Sequence, residues 1–135
     1  MSEEKVKALG IKPLARIVSY ADAEIEPIDF SIAPNYATKN VLKRAGLSIS
    51  NIDYFEYNEA FSVVILANSK LLDLNPEKVN INGGAVALGH PIGASGARIV
   101  QSLLSAFRTK GGKYGLAGIC NGGGGSTAMI IENLL

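Results

Sequence analysis

Short runs of β-branched, aliphatic and aromatic residues recur along the chain and predict five strands, at Leu14–Ala23, Tyr54–Tyr57, Val79–Asn82, Tyr114–Cys120 and Thr127–Glu132. Between them the apolar positions take the spacing of helices. Tyr36–Ala45 ends at Gly46 and carries Lys39, Lys43 and Arg44 toward its outer face. Ser62–Leu72 contains SVVILANSKLL, apolar almost all round, which implies a helix buried on more than one side. Ala94–Arg108 sets Ile99, Val100, Leu103, Leu104 and Phe107 among polar residues. Ser2–Leu9 reads as a short helix with Ser2 as N-cap and Gly10 as stop, and Glu24–Pro34 as a loop punctuated by Pro27 and Pro34. The order β-α-β-α-β-α-β-β predicts an α/β fold. Its sheet is mixed and five-stranded, mostly parallel with a hairpin at the end, and helices cover both faces.

With 135 residues, 47% hydrophobic and 19% charged, the chain has the size and composition of one domain with a real core. A net charge of +1 gives no global attraction to nucleic acid or anionic lipid. No apolar run has the length of a membrane span, and MSEEKVKALG lacks the apolar segment of a secretory signal. Cys120 is the single cysteine, so no internal disulfide forms and an intracellular, reducing setting is expected.

The densest pattern is Gly83–Arg98, GGAVALGHPIGASGAR, which holds five of the 15 glycines and the only histidine, His90. Pro91 suits a loop or first turn, and the small residues after it suit a tightly packed helix start with free N–H groups. In sheets of this kind ligands sit beyond the carboxyl ends of strands. Asn58, His90 and Cys120 each stand just past a predicted strand. Imidazole exchanges protons near neutral pH. Cys120 is either an inert buried thiol or a reactive one beside the glycine turn 121–125, whose N–H groups can form an anion nest. Asn58-Glu59 is either a helix N-cap with an acidic first turn or part of the site. The glycine spacing matches neither a P-loop nor GxGxxG, so nucleotide binding is a weak reading.

Three blocks in order, NEAF (58–61), GHPIGASGAR (89–98) and CNGGGG (120–125), together resemble the carboxyl-half motifs of the thiolases. The resemblance covers nearly the whole chain, with 1–12 as a linker or helix from a preceding half and 13–135 as the carboxyl-terminal domain. PLARIVSYADAEIEPIDF (13–30) and CNGGGGS are similar to the short-chain branch, whose members join two acetyl-CoA into acetoacetyl-CoA and coenzyme A. A ketoacyl synthase would carry a second histidine where Asn58 stands.

The resemblance implies roles. The acyl-accepting cysteine would lie on an amino-terminal half, the partner of this chain, and no residue here matches it. His90 would activate that cysteine and help hold the thioester oxygen. Asn58 would position a water that forms an oxyanion hole with His90. Cys120 would exchange the α-proton of the second substrate, and the N–H of Gly122 would serve the other oxyanion hole. Phe61 and Gly89 would contact substrate. Coenzyme A thioesters are the implied substrates, with no tightly bound cofactor, and potassium is admitted as a monovalent cation near Val86. The full protein would form a homodimer or homotetramer in cytoplasm or mitochondrion, without nucleic acid or membrane partners. This chain alone is expected to be inactive, and Ala94–Arg108 is expected to pack against its own sheet and against a helix of the other half. The alternatives are a longer-chain 3-ketoacyl-CoA thiolase and a non-catalytic acyl-CoA-binding or assembly domain.

Overall fold

A computed structural model describes all 135 residues. Ser2 caps the first helix, α1 (Glu3–Leu9), by accepting a hydrogen bond from the Lys5 N–H, and Gly10 closes it. The first strand, β1 (Ala15–Glu24), leads through a 3₁₀ turn to α2 (Ala33–Ala45). This helix begins three residues before the Tyr36 expected from the sequence. Pro34 sits in its first turn, where a missing N–H breaks no helical bond. Then follow β2 (Tyr54–Tyr57), α3 (Ser62–Leu71), a one-turn helix α4 (Ala85–Leu88), α5 (Ser95–Lys110), β3 (Tyr114–Cys120) and β4 (Gly125–Asn133). None of these helices is long and apolar enough to cross a membrane.

The sheet is mixed, in the order β1-β4-β3-β2. It has four strands, not the five expected, and it is not mostly parallel. β4 lies antiparallel between β1 and β3, and β2–β3 is the one parallel pair. The terminal hairpin enters the sheet beside β1 and so sets the antiparallel majority. The expected strand Val79–Asn82 shrinks to a single parallel bridge between Val79 and Phe55. Asn80 ends it, because its φ of 45° turns the chain out of the extended region. A bulge interrupts the β1 register between Ile17 and Ser19.

Successive strand residues face opposite sides, so each strand feeds two cores. Leu116 and Ile130 join Val41, Leu42, Ile52, Phe55 and Tyr57 beneath α2. Ala117 and Ile131 join Ile99, Leu103 and Phe107 beneath α5. Helices therefore cover both faces, as the pattern predicts. α3 departs from its pattern: of its residues only Val64 and Asn68 are buried. Val63, Leu66 and Leu71 stand more than half exposed. Exposed apolar side chains gather on α3 and at 86–92, with others on β1 and the turn after it (Ile17, Tyr20, Ile28), whereas α5 buries Ile99, Leu103 and Phe107 on its own sheet.

Candidate active site

β2 carries the first site residue. The Asn58 N–H donates to the Gly118 carbonyl at 2.9 Å and extends the β2–β3 ladder by one rung. The Asn58 side chain is buried, and its Nδ2 stands 3.4 Å from His90 Nε2, a long hydrogen bond. Asn58 is thus no helix cap, since the residue at the N-cap of α3 is Phe61.

His90 follows α4, whose end is made by Gly89 at φ 85°, a conformation closed to most side chains. The Gly89 carbonyl accepts a hydrogen bond from Arg98 Nη1 at 2.8 Å, which ties the loop to α5. His90 Nδ1 lies 2.6 Å from the buried Ser95 Oγ, and Ser95 in turn donates to the Pro91 carbonyl at 3.1 Å. A hydroxyl has one proton to give. With that proton directed to Pro91, Ser95 accepts from Nδ1–H, so the bare nitrogen of neutral His90 is Nε2, the one facing Asn58. The imidazole itself is exposed. The ring is held in one tautomer, with Nε2 toward the Asn58 amide.

Cys120 ends β3 and is buried at 8% exposure, so burial pushes its thiol above the usual range and keeps it protonated. It makes no hydrogen bond to Asn58 or His90, and what it shares with them is the strand-end edge. In the turn after it, Asn121 Oδ1 accepts from the N–H groups of Gly123 and Gly125 at 3.0 and 3.3 Å. The Gly124 N–H donates to the Asn121 carbonyl. Three of the four glycine N–H groups are spent in this way. The Gly122 N–H takes no part, and no heavy atom lies within 4 Å of where a Gly122 Cβ would stand. Phe61 is exposed, with its ring edge-on to Phe30 at 6.2 Å.

Four residues missed in the sequence support the site. Ser95 reads there only as a small residue at a helix start, although a hydroxyl five positions after the lone histidine is a detectable signal. Arg98 and Asn80 leave no local pattern. Glu56 is buried in β2, its carboxyl pushed up to about 8, first by burial and second by the charge of Glu59. With Asn58, Ser95, Arg98 and Ser102 it lines a cavity of about 20 Å³, room for one water. Around Val86, the Gly84 and Ala85 carbonyls accept from Leu88 and Gly89, and Glu59 is held by Asn80 and the Val86 N–H. A potassium ion needs several converging oxygens. This segment supplies at most a part of such a shell.

Residues 11–133 match the family described as thiolase, C-terminal domain. The mitochondrial acetyl-CoA acetyltransferase of Bos taurus is 61% identical over 134 residues, covering 99% of this chain and 31% of that protein. Among solved structures, the Acat5 thiolase of Ascaris suum in complex with coenzyme A superposes at a TM-score of 0.94 with 52% identity, over 98% of this chain and 34% of that one. Human mitochondrial 3-ketoacyl-CoA thiolase gives 0.96 with 46% identity, over 99% and 34%. The chain spans about a third of the length of the relatives it matches.

Proposed function

The chain belongs to the thiolase family, in which it is the carboxyl-terminal domain, and from that premise we propose that it acts as the carboxyl-terminal half of an acetyl-CoA acetyltransferase. The whole enzyme condenses two acetyl-CoA to acetoacetyl-CoA and coenzyme A, reversibly, with an amino-terminal half supplying the acyl-accepting cysteine. Residues 1–12 form the lead-in from that half. The open apolar surface of α3 and the 86–92 loop is the side on which the halves meet, and two or four copies assemble. The setting is cytosol or mitochondrion.

In the first step His90 Nε2 takes the proton of the partner cysteine. The thiolate adds to the acetyl-CoA carbonyl, the Cys120 thiol protonates the leaving coenzyme A sulfur and so becomes a thiolate, and His90 keeps its proton on Nε2. In the second, the Cys120 thiolate removes a proton from the methyl group of the next acetyl-CoA. Its burial suits this task, because a thiol of raised pKa gives the stronger conjugate base. The enolate oxygen is held by protonated His90 and by a water on Asn58. The enolate carbon attacks the acyl-enzyme, the Gly122 N–H holds the tetrahedral oxyanion, and collapse releases acetoacetyl-CoA and the partner cysteine, whose sulfur takes back the proton on Nε2. Each such donor contributes about 3–4 kcal/mol to the transition state. Phe61 and Gly89 contact the substrate. Potassium near Val86 would need further oxygens from beyond this chain, and no step depends on it.

The observation that carries this reading is the Asn58–His90–Ser95 line, which presents an unprotonated Nε2 beside an amide donor. It favours a catalytic domain over a binding scaffold, for which the tautomer of His90 would be idle. The short-chain reading over the 3-ketoacyl-CoA one rests on the 61% identity to an acetyltransferase. The test is thiolysis of acetoacetyl-CoA by this chain mixed with an amino-terminal thiolase half. Turnover in the mixture and none in either part is expected; turnover by this chain alone overturns the assignment of roles. Preference for a long-chain 3-ketoacyl-CoA would replace the short-chain reading by the other.

A further inference from the structure

Glu59 stands next to Asn58 yet turns its carboxylate away from the reacting groups. Oε1 accepts from Asn80 Nδ2 at 2.9 Å, and Oε2 accepts from the Val86 N–H, the first turn of α4, also at 2.9 Å. Asn80 has no freedom to adapt. Its Oδ1 accepts from the Tyr57 N–H and its Nδ2 donates also to the Tyr57 carbonyl, at 2.9 and 3.0 Å. Both partners of Glu59 are therefore obligatory donors, and the site demands a group that accepts on both oxygens. The fit is close on the remaining side, since a Cβ on Gly84 would lie 2.4 to 2.6 Å from the Glu59 carboxyl atoms. One carboxylate thus pins three pieces together: the turn after β2 that bears Asn58, the Asn80 kink, and the short helix that ends at Gly89 and His90. α4 buries no residue of its own, so hydrogen bonds do the work that apolar contact does elsewhere.

We propose that Glu59 is a positioning residue that sets the Asn58–His90 separation by holding α4 to the end of β2. The proposal deepens the thiolase reading and rests on it for its catalytic consequence, while its structural half stands separately. Glutamine at this position turns an N–H toward Asn80 or toward Val86 and leaves two donors facing one another. Alanine at 84 leaves the carboxylate chemically intact and displaces it.

His90 is the only histidine of the chain, so its ring-nitrogen NMR signals need no assignment by mutation. In the labelled 135-residue chain, the native protein should show a single Nδ1–H tautomer and a protected Val86 amide. Glu59→Gln and Gly84→Ala should each speed exchange of the Val86 amide at least ~10-fold and shift or broaden the His90 signals, with Leu116 and Ile130 amides in the sheet unchanged. In the protein completed by the amino-terminal half, kcat should fall about 10²-fold with KM little altered, the effect of a displacement near 1 Å. Unchanged His90 signals in both variants overturn the proposal, as does equal loss of protection throughout the sheet, which would make Glu59 a stabiliser of the whole fold. If the native mixture shows no thiolase turnover while the His90 and Val86 signals respond as stated, the enzymatic reading fails and the positioning role stands.

Discussion

The side of the sheet under α2 and the edge that bears His90 are built on opposite principles. Under α2, eleven buried residues form one apolar cluster crossed by one buried hydrogen bond, 2.7 Å between Thr38 and Tyr57, while Asn40 and Arg44 reach the Asp22 and Tyr20 carbonyls at the exposed rim. At the edge, α4 buries nothing, and Val86, Leu88 and Ile92 stand 64 to 84% exposed. Order there comes from polar tethers: Glu59 to Val86, Arg98 to Gly89, Ser95 to His90. A packed core tolerates imprecision in direction because dispersion and the hydrophobic effect are not directional, whereas proton transfer demands a fixed nitrogen and a fixed distance. The molecule uses burial for cohesion and hydrogen bonds for aim.

Four substitutions separate these two roles. The largest effect is expected for His90→Ala in the completed enzyme, a loss of about 10³-fold or more in turnover, because in the proposed mechanism base and oxyanion donor vanish together. His90 is exposed, so the melting temperature should stay within a few degrees. A comparable fall in stability, by calorimetry, would show that the edge shares in cohesion after all. Phe55→Ala is the converse. It empties a site 2% exposed at the centre of the α2 cluster and should cost about 3–5 kcal/mol in denaturant unfolding. A loss below ~1 kcal/mol would mean that the cluster is not what holds the sheet.

Glu56 faces away from α2, beside Asn58, Ser95 and Arg98, and its effect depends on pH. Its folded pKa, about 8, lies above the ordinary 4.5, so the fold favours the neutral acid. That contribution is complete below the unfolded value and is lost as pH rises from about 4.5 through 8. Glu56→Gln should therefore match the native protein at pH 4 and exceed it at pH 9, by several kcal/mol in urea unfolding. A pH-independent difference would mean that the carboxyl is ionised in the fold. The smallest effect belongs to Tyr57→Phe, which removes the hydroxyl bonded to Thr38 and should cost about 1 kcal/mol of stability. It should leave turnover unchanged in the completed enzyme. A drop in kcat would extend the tethered edge into the apolar core.

The sequence disclosed what depends on residue type and period. The strands 54–57 and 114–120, the helix ends at Gly10 and Gly46, and the two-faced core under α2 and α5 all follow from apolar spacing and stop residues. Asn58, His90 and Cys120 were legible as chemically capable groups at strand ends, and the structure brings Asn58 and His90 within hydrogen-bond reach. What stayed hidden depends on pairings between distant positions. That β4 would lie between β1 and β3 is a matter of sheet order, which alternation does not encode. Val79–Asn82 looked like a strand because nothing local marks Asn80 for positive φ; its conformation is fixed by Tyr57 and Glu59, both more than twenty residues away. α3 looked buried all round because composition does not say which of its faces is covered, and only Val64 and Asn68 are buried.

The clasp that Ser95 places on His90 has a consequence in time. A reaction in two halves asks the same imidazole to accept a proton and later give it back. An untethered ring can rotate about its Cβ–Cγ bond and present the other nitrogen, so that some molecules begin each half from the wrong face. Here Nδ1 is engaged by Ser95 in the neutral ring and remains a donor to it when the ring is charged. In the proposed thiolase cycle the proton is therefore parked and collected at Nε2 throughout, and no ring flip stands between one half of that cycle and the next.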